Sequence, residues 1–154
     1  MHFESESRSQ LDRLVHLGFQ RVGDWKLVEN PTPATISLDL TVSIETPNFL
    51  YAFVTDGEVV YIGKSVKSIR QRLLGYERPG KSQRTNIRNN KRVLDLLSNK
   101  SKVDIYVFAD SGLHNYGGFH MNLAAGLEDS LIDRLKPKWN IQGAKGKSIN
   151  PNET

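Results

Sequence analysis

The sequence predicts an α+β domain, and three stretches of it carry that prediction. Residues 49–65, FLYAFVTDGEVVYIGKS, form two β-branched and aromatic arms around Asp56-Gly57. Ile36, Leu38, Leu40, Val42 and Ile44 fall at every second position. Residues 123–135 keep apolar side chains at helical spacing until Pro137 stops them. Period two marks strands and period 3.6 marks helices.

The elements follow in chain order. Leu11, Leu14, Val15 and Leu17 share one face of a short helix over residues 10–18, closed by Gly18. The alternating run at 36–44 is a strand, bounded by Pro31, Pro33 and Pro47. Residues 49–55 and 58–62 are the arms of a hairpin, because Asp-Gly supplies the two positive-φ positions of a type I′ turn. A helix covers about 66–75, and the polar, basic segment YERPGKSQRTNIRNNKR reads as a loop. A second helix spans roughly 90–98, a third strand 103–108, a loop 110–121 and a last helix 123–135. Residues 1–47 are an N-terminal helix-and-strand extension, 48–142 the core, and 143–154 a Gly, Lys, Ser and Asn-rich flexible tail.

With 154 residues the chain can bury one core. No apolar run reaches the roughly 18 residues of a membrane span, and the polar start MHFESESRSQ has no signal-peptide character. The absence of cysteine excludes disulfides and Cys-type zinc sites, and fits a cytoplasmic location. His2, His16, His114 and His120 have no metal-ligand spacing. Gly63-Lys64-Ser65 is not a phosphate-binding P-loop, since Glu58 stands where that loop needs glycine.

Net charge is +4, but residues 61–102 hold twelve Lys or Arg against Glu77 and Asp95. That segment is +10 and the remainder is −6. Such a block suits either a polyanionic partner or a solvated basic face.

Several residues could carry chemistry. Leu131, Ile132 and Leu135 follow Glu128 at i+3, i+4 and i+7, so this carboxylate lies on the apolar stripe of its helix. It either reaches solvent or an arginine, or binds a cation. Arg72 and Tyr76 share a helix face at i, i+4. They form either a phosphate grip or a cation–π pair at a core edge. Tyr51 and Tyr61 occupy the two arms of the hairpin. A regular two-residue turn opposes Tyr51 to Ile62 and points Tyr61 to the other face. Both hydroxyls reach one site only if the ladder is bulged or strongly twisted.

Together these positions resemble the GIY-YIG nuclease superfamily. Leu50-Tyr51-Ala52 stands for the GIY element, with Phe49 in place of its usual glycine. Tyr61-Ile62-Gly63 matches YIG in full, Arg72 precedes Tyr76 by four, and Glu128 precedes Asn140 by twelve. The resemblance spans about residues 49–142 and implies a three-stranded antiparallel sheet flanked by helices. It implies phosphodiester hydrolysis with one divalent ion, Mg2+ with Mn2+ as a substitute, on Glu128. Arg72 would hold the phosphate, Tyr51 would accept the proton of the attacking water, and Tyr61 and Tyr76 would orient it. Lys64, placed as in the phage endonuclease II type and some restriction members, would help lower the phenol pKa, and Asn140 would fix the site. Arg70, Arg78, Lys81, Arg84, Asn86, Arg88, Lys91 and Arg92 would contact double-stranded DNA.

Compact members of this kind suggest a sequence-specific restriction-type enzyme, working as a homodimer or higher oligomer because one site cuts one strand. The alternatives are a repair, phage or mobile-element nuclease that nicks or recognises structure, and a catalytically silent nucleic-acid-binding domain.

Overall fold

A computed structural model describes residues 9–44, 47–110, 112 and 114–140. The elements are α1 (Gln10–Leu17), β1 (Gln20–Val28), β2 (Thr35–Leu40), β3 (Phe49–Thr55), β4 (Glu58–Ser65), α2 (Ile69–Glu77), α3 (Arg84–Ser98), β5 (Asp104–Ala109), β6 (Asn115–Tyr116), β7 (Phe119–His120) and α4 (Leu123–Leu135). The proposed tail at 143–154 lies outside the described residues. No helix among the described residues is long and apolar enough to cross a membrane.

The main sheet runs β2-β1-β5-β3-β4 and every pairing in it is antiparallel. It has five strands, not the three expected. The extra width comes from β1, which pairs with both β2 and β5. In the sequence QRVGDWKLV the alternation is lost, because a register shift between Arg21 and Gly23 puts successive residues Val22 to Trp25 inside.

Helices cover both faces of this sheet. On one face Phe49, Tyr51 and Phe53 pack with Ile69, Leu73 and Tyr76 of α2 and Val93 of α3. On the other, Leu50, Ala52 and Val54 pack with Leu14 of α1 and Ala124, Leu131 and Leu135 of α4. All seven residues of β3 are therefore buried, as a strand with covered faces and two neighbours must be.

Local chemistry fixes the helix ends. The Ser9 hydroxyl accepts from the Asp12 N–H and Ser68 from Gln71, each an N-cap bond. Asn122 caps α4 in the same way through the Ala125 N–H. Gly18 takes a left-handed conformation at the end of α1.

The largest departure from the sequence reading is α3, which begins at Arg84 rather than near Asn90. Much of the expected basic loop is therefore helix. Asn86, Asn89 and Val93 are its buried residues, at i, i+3 and i+7. Asparagine is a poor helix former and looks polar, so an asparagine-lined inner face gives no hydrophobic signal. Within the segment 110–121, β6 and β7 form a small separate ribbon that pairs exposed Tyr116 with exposed Phe119.

Candidate active site at the edge of the sheet

The hairpin turn carries φ 50° at Asp56 and φ 75° at Gly57, as the Asp-Gly pair predicts. Its ladder is not regular. Thr55 pairs with Glu58 and Val54 with Val59, but Phe53 pairs with Tyr61 and Tyr51 with Gly63. Val60 is the extra residue of a β-bulge. The bulge shifts the later part of β4 by one place, which brings Tyr61 onto the face of Tyr51.

Tyr51, Tyr61 and Tyr76 then form a triangle of rings with centroids 6.0–6.4 Å apart. The hydroxyls of Tyr51 and Tyr76 are hydrogen-bonded at 2.5 Å. Arg72, one helical turn before Tyr76, donates to the Tyr76 hydroxyl at 3.0 Å. Its guanidinium also lies over the Tyr76 and Tyr51 rings, at 4.6 and 5.5 Å from their centroids. The cation–π reading of the Arg72 pair thus holds, and the same guanidinium donates to the phenol.

Gly63 explains why the Tyr51 ring can lie there. A Cβ on Gly63 would stand 2.5 Å from Cζ and from the hydroxyl of Tyr51. The ring extends over the glycine backbone toward the free edge of β4.

Side chains from both faces meet β4: Tyr51 lies over Gly63 and Glu128 pairs with Lys64. α2 lies on one face and α4 on the other, and among the described residues β4 has no strand beyond it. Lys64 on β4 places Nζ 3.7 Å from Oε1 of Glu128 on α4. The Glu128 side chain is only 17% exposed, so it does not simply ride the stripe into solvent. Among the described residues no group of three or more His, Asp or Glu could hold a metal. A single carboxylate suits magnesium, which keeps most of its water and takes one or two carboxylates, and does not suit zinc.

Asn140 holds the edge strand. Its Oδ1 accepts from the Ile62 N–H at 2.9 Å and its Nδ2 donates to the Ile62 carbonyl at 2.8 Å. The side chain does for Ile62 what a further strand would do. Gln10 covers the same edge nearer the turn, accepting from the Val59 N–H at 3.0 Å.

Electrostatics set the state of the phenols. Burial, then the neighbouring Tyr76 and Tyr61, push Tyr51 well above its ordinary value, and the lowering by Arg72 does not offset them. Tyr61 is also pushed up, first by burial, then by Tyr76, against the lowering by Arg72. Burial works against the charge of Arg72, but the tyrosines around it outweigh this and raise its pKa. Lowering of the Tyr51 phenol by Arg72 is therefore present in sign and too small in size. Tyr51 and Tyr76 are both fully buried, whereas Tyr61 is partly exposed.

The basic residues divide. Arg70, Arg78, Lys81, Arg84 and Lys91 are exposed, and Arg88 is half-buried. Arg92 leans on the protein, stacked on Trp139 at 5.7 Å and donating to its carbonyl at 3.4 Å. Asn86 is buried and accepts from Arg72 at 3.1 Å. Gln83, which the sequence did not single out, accepts from the Asn86 amide at 3.1 Å. Its signal was its place three residues before Asn86 and seven before Asn90, on one helical face.

No family model matches the chain, and no curated protein sequence matches it either. Solved structures do. The restriction endonuclease Hpy188I, seen in complex with product DNA, shares 16% identity at a TM-score of 0.49, covering 84% of this chain and 80% of its own. An alanine variant of bacteriophage T4 EndoII shares 22% identity at a TM-score of 0.65. That alignment covers 86% of this chain and 98% of EndoII. In fold, this chain is similar to a GIY-YIG nuclease, the phage enzyme EndoII.

Proposed function

We propose that the chain is a divalent-metal-dependent DNA endonuclease with one hydrolytic site at the edge of β4. The observation that carries this reading is the bulge at Val60, which turns Tyr61 onto the face of Tyr51 beside Arg72 and Tyr76. A binding domain has no use for that convergence. The similarity in fold to EndoII supports the same class of reaction.

Arg72 binds the scissile phosphate, with its guanidinium held by Tyr76 and Asn86. Glu128 is the residue that holds the ion, Mg2+ or Mn2+ in its place. A divalent ion there supplies stabilisation of negative charge on the phosphate and the leaving oxygen. Lys64 balances the Glu128 carboxylate and lies beside the same site. Tyr61, partly exposed, takes the proton of the attacking water in place of the fully buried Tyr51 that the resemblance assigns, while Tyr51 and Tyr76 orient it through their hydroxyl pair. The exposed arginines and lysines of α2, α3 and the segment between them contact DNA phosphates.

One site hydrolyses one strand, so double-strand cleavage of restriction type requires two copies of the chain. Light scattering with and without DNA should then give a dimer or a larger assembly, and a monomer under both conditions would leave a nickase.

The direct test is digestion of an unmethylated supercoiled plasmid with magnesium. Wild type should give discrete fragments, or relaxed circles if it nicks. Glu128→Gln should lose cleavage by at least about 100-fold and still bind DNA, since the basic surface is untouched. Intact plasmid with wild type would favour the silent binding domain.

A further inference from the structure

Arg72 is not oriented by the tyrosines alone. Its Nη1 donates to Oδ1 of Asn86 at 3.1 Å, and the Asn86 Nδ2 donates to Oε1 of Gln83 at 3.1 Å. That same Gln83 oxygen accepts from the Gly80 N–H at 3.0 Å. Four groups from three successive segments thus form one chain, running from the turn at Gly80 into the site.

Burial separates the two ends of that chain. Asn86 is 6% exposed, whereas Gly80, Lys81 and Gln83 face solvent between exposed Arg78 and Arg84. Space has been left for the Asn86 amide. A Cβ on Gly75 would stand 3.2 Å from Nδ2 of Asn86, which is tighter than an ordinary contact. Gly75 sits inside α2, where glycine is among the least favourable residues. The accommodation of the Asn86 amide accounts for it.

We infer that Asn86 is a positioning residue for Arg72, and that Gln83 joins it to the basic turn at 78–84. This rests on the endonuclease reading for its chemistry, though not for its geometry. Asn86 then makes no contact with DNA. It accepts from the guanidinium on one side and donates to the turn on the other. Seating of the turn on a phosphate backbone and the aim of the arginine are set by one set of hydrogen bonds.

The test compares Asn86→Ala, Asn86→Asp and Gln83→Met, measured by single-turnover plasmid cleavage with magnesium and by DNA binding without it. Asn86→Ala should lower the rate at saturating DNA by about 10- to 100-fold and leave the dissociation constant within about twofold. Asn86→Asp keeps the acceptor for Arg72 and should recover most of the rate, even if Asn86→Ala folds poorly. Gln83→Met removes the acceptor at similar length and should cost rate less than Asn86→Ala.

A second readout needs no cleavage. In the free protein, the side-chain 15N–H signals of Arg72, assigned by their loss in Arg72→Lys, should be resolved and slow to exchange. They should collapse in Asn86→Ala and persist in Asn86→Asp. A variant Asn86→Ala that weakens binding at an unchanged saturated rate would overturn the proposal and make Asn86 a DNA contact. Unchanged Arg72 signals in Asn86→Ala would also overturn it. Absence of cleavage by wild type would count against the endonuclease reading alone, with the Arg72 signals still deciding the positioning role.

Discussion

Gly63 lacks a side chain because the Tyr51 ring fills the volume one would need. Gly63→Ala is therefore expected to destabilise the fold by about 1–3 kcal/mol, the usual cost of overpacking. It should also displace the hydroxyl from Tyr76 and reduce cleavage. Thermal unfolding beside a cleavage assay checks both, and an unchanged melting temperature would mean the ring moves aside freely. The tyrosines make a pH prediction at the same scale. Burial raises the pKa of Tyr51 and Tyr61, so both phenols are protonated at neutral pH. A phenolate base then gains population as pH rises, and the cleavage rate should climb by up to about tenfold per unit between pH 7 and 9. Tyr61→Phe should remove that climb. If Tyr51→Phe flattens the profile and Tyr61→Phe does not, the proton passes to the buried ring instead.

At the scale of the element, β4 is an edge strand whose outward backbone groups at Val59 and Ile62 are met by side chains. Asn140 makes two bonds to Ile62, so Asn140→Ala should cost about 1–3 kcal/mol by leaving both groups short of a partner. Hydrogen exchange at the Ile62 amide should speed up more than at Ala52 or Phe53 in the central strand. Equal change across all three would show global loosening instead of a freed edge. α3 shows how a helix can hide from a sequence reading. Its inner face holds Asn86 and Asn89 where leucine is usual, and its outer face is basic. The polar inner face serves the Arg72 and Tyr76 side of the site: Asn90 also donates to the Tyr76 carbonyl, at 2.7 Å. Composition alone made this stretch a loop. Helical spacing of the asparagines was present and had no hydrophobic contrast to announce it.

For the whole molecule, charge and burial make separate predictions. Neutralising Arg84 and Arg88 together should weaken DNA binding and reduce the slope of log K against log salt by about 1–2. An unchanged slope would remove them from the DNA surface. Stability against alkali follows from the buried phenols. Their pKa values in the fold exceed the unfolded value of about 10, so their contribution is complete below that pH and is lost as pH rises above it. Tyr51→Phe should make unfolding less sensitive to pH above about 10. A wild-type unfolding curve that is flat from pH 9 to 12 would contradict the burial of these rings.

By itself the sequence determined the local elements and the list of groups. Asp56-Gly57 dictated a tight hairpin, Gly18 a helix end and Pro137 a stop, because each acts through its own backbone and near neighbours. The tertiary structure alone decided how those groups meet. A one-residue bulge at Val60 reverses the side on which Tyr61 points, and nothing local in Glu58 to Ile62 requires it. Its cause lies in packing, where Val60 and Tyr61 both enter the core facing α2 while Val59 and Ile62 enter the opposite one. In the same way β1 widens the sheet to five strands through its pairing with β5, and the inward-facing Asn86 accepts from Arg72. Side-chain direction in a strand has period two, so a single inserted residue changes which chemistry shares a face.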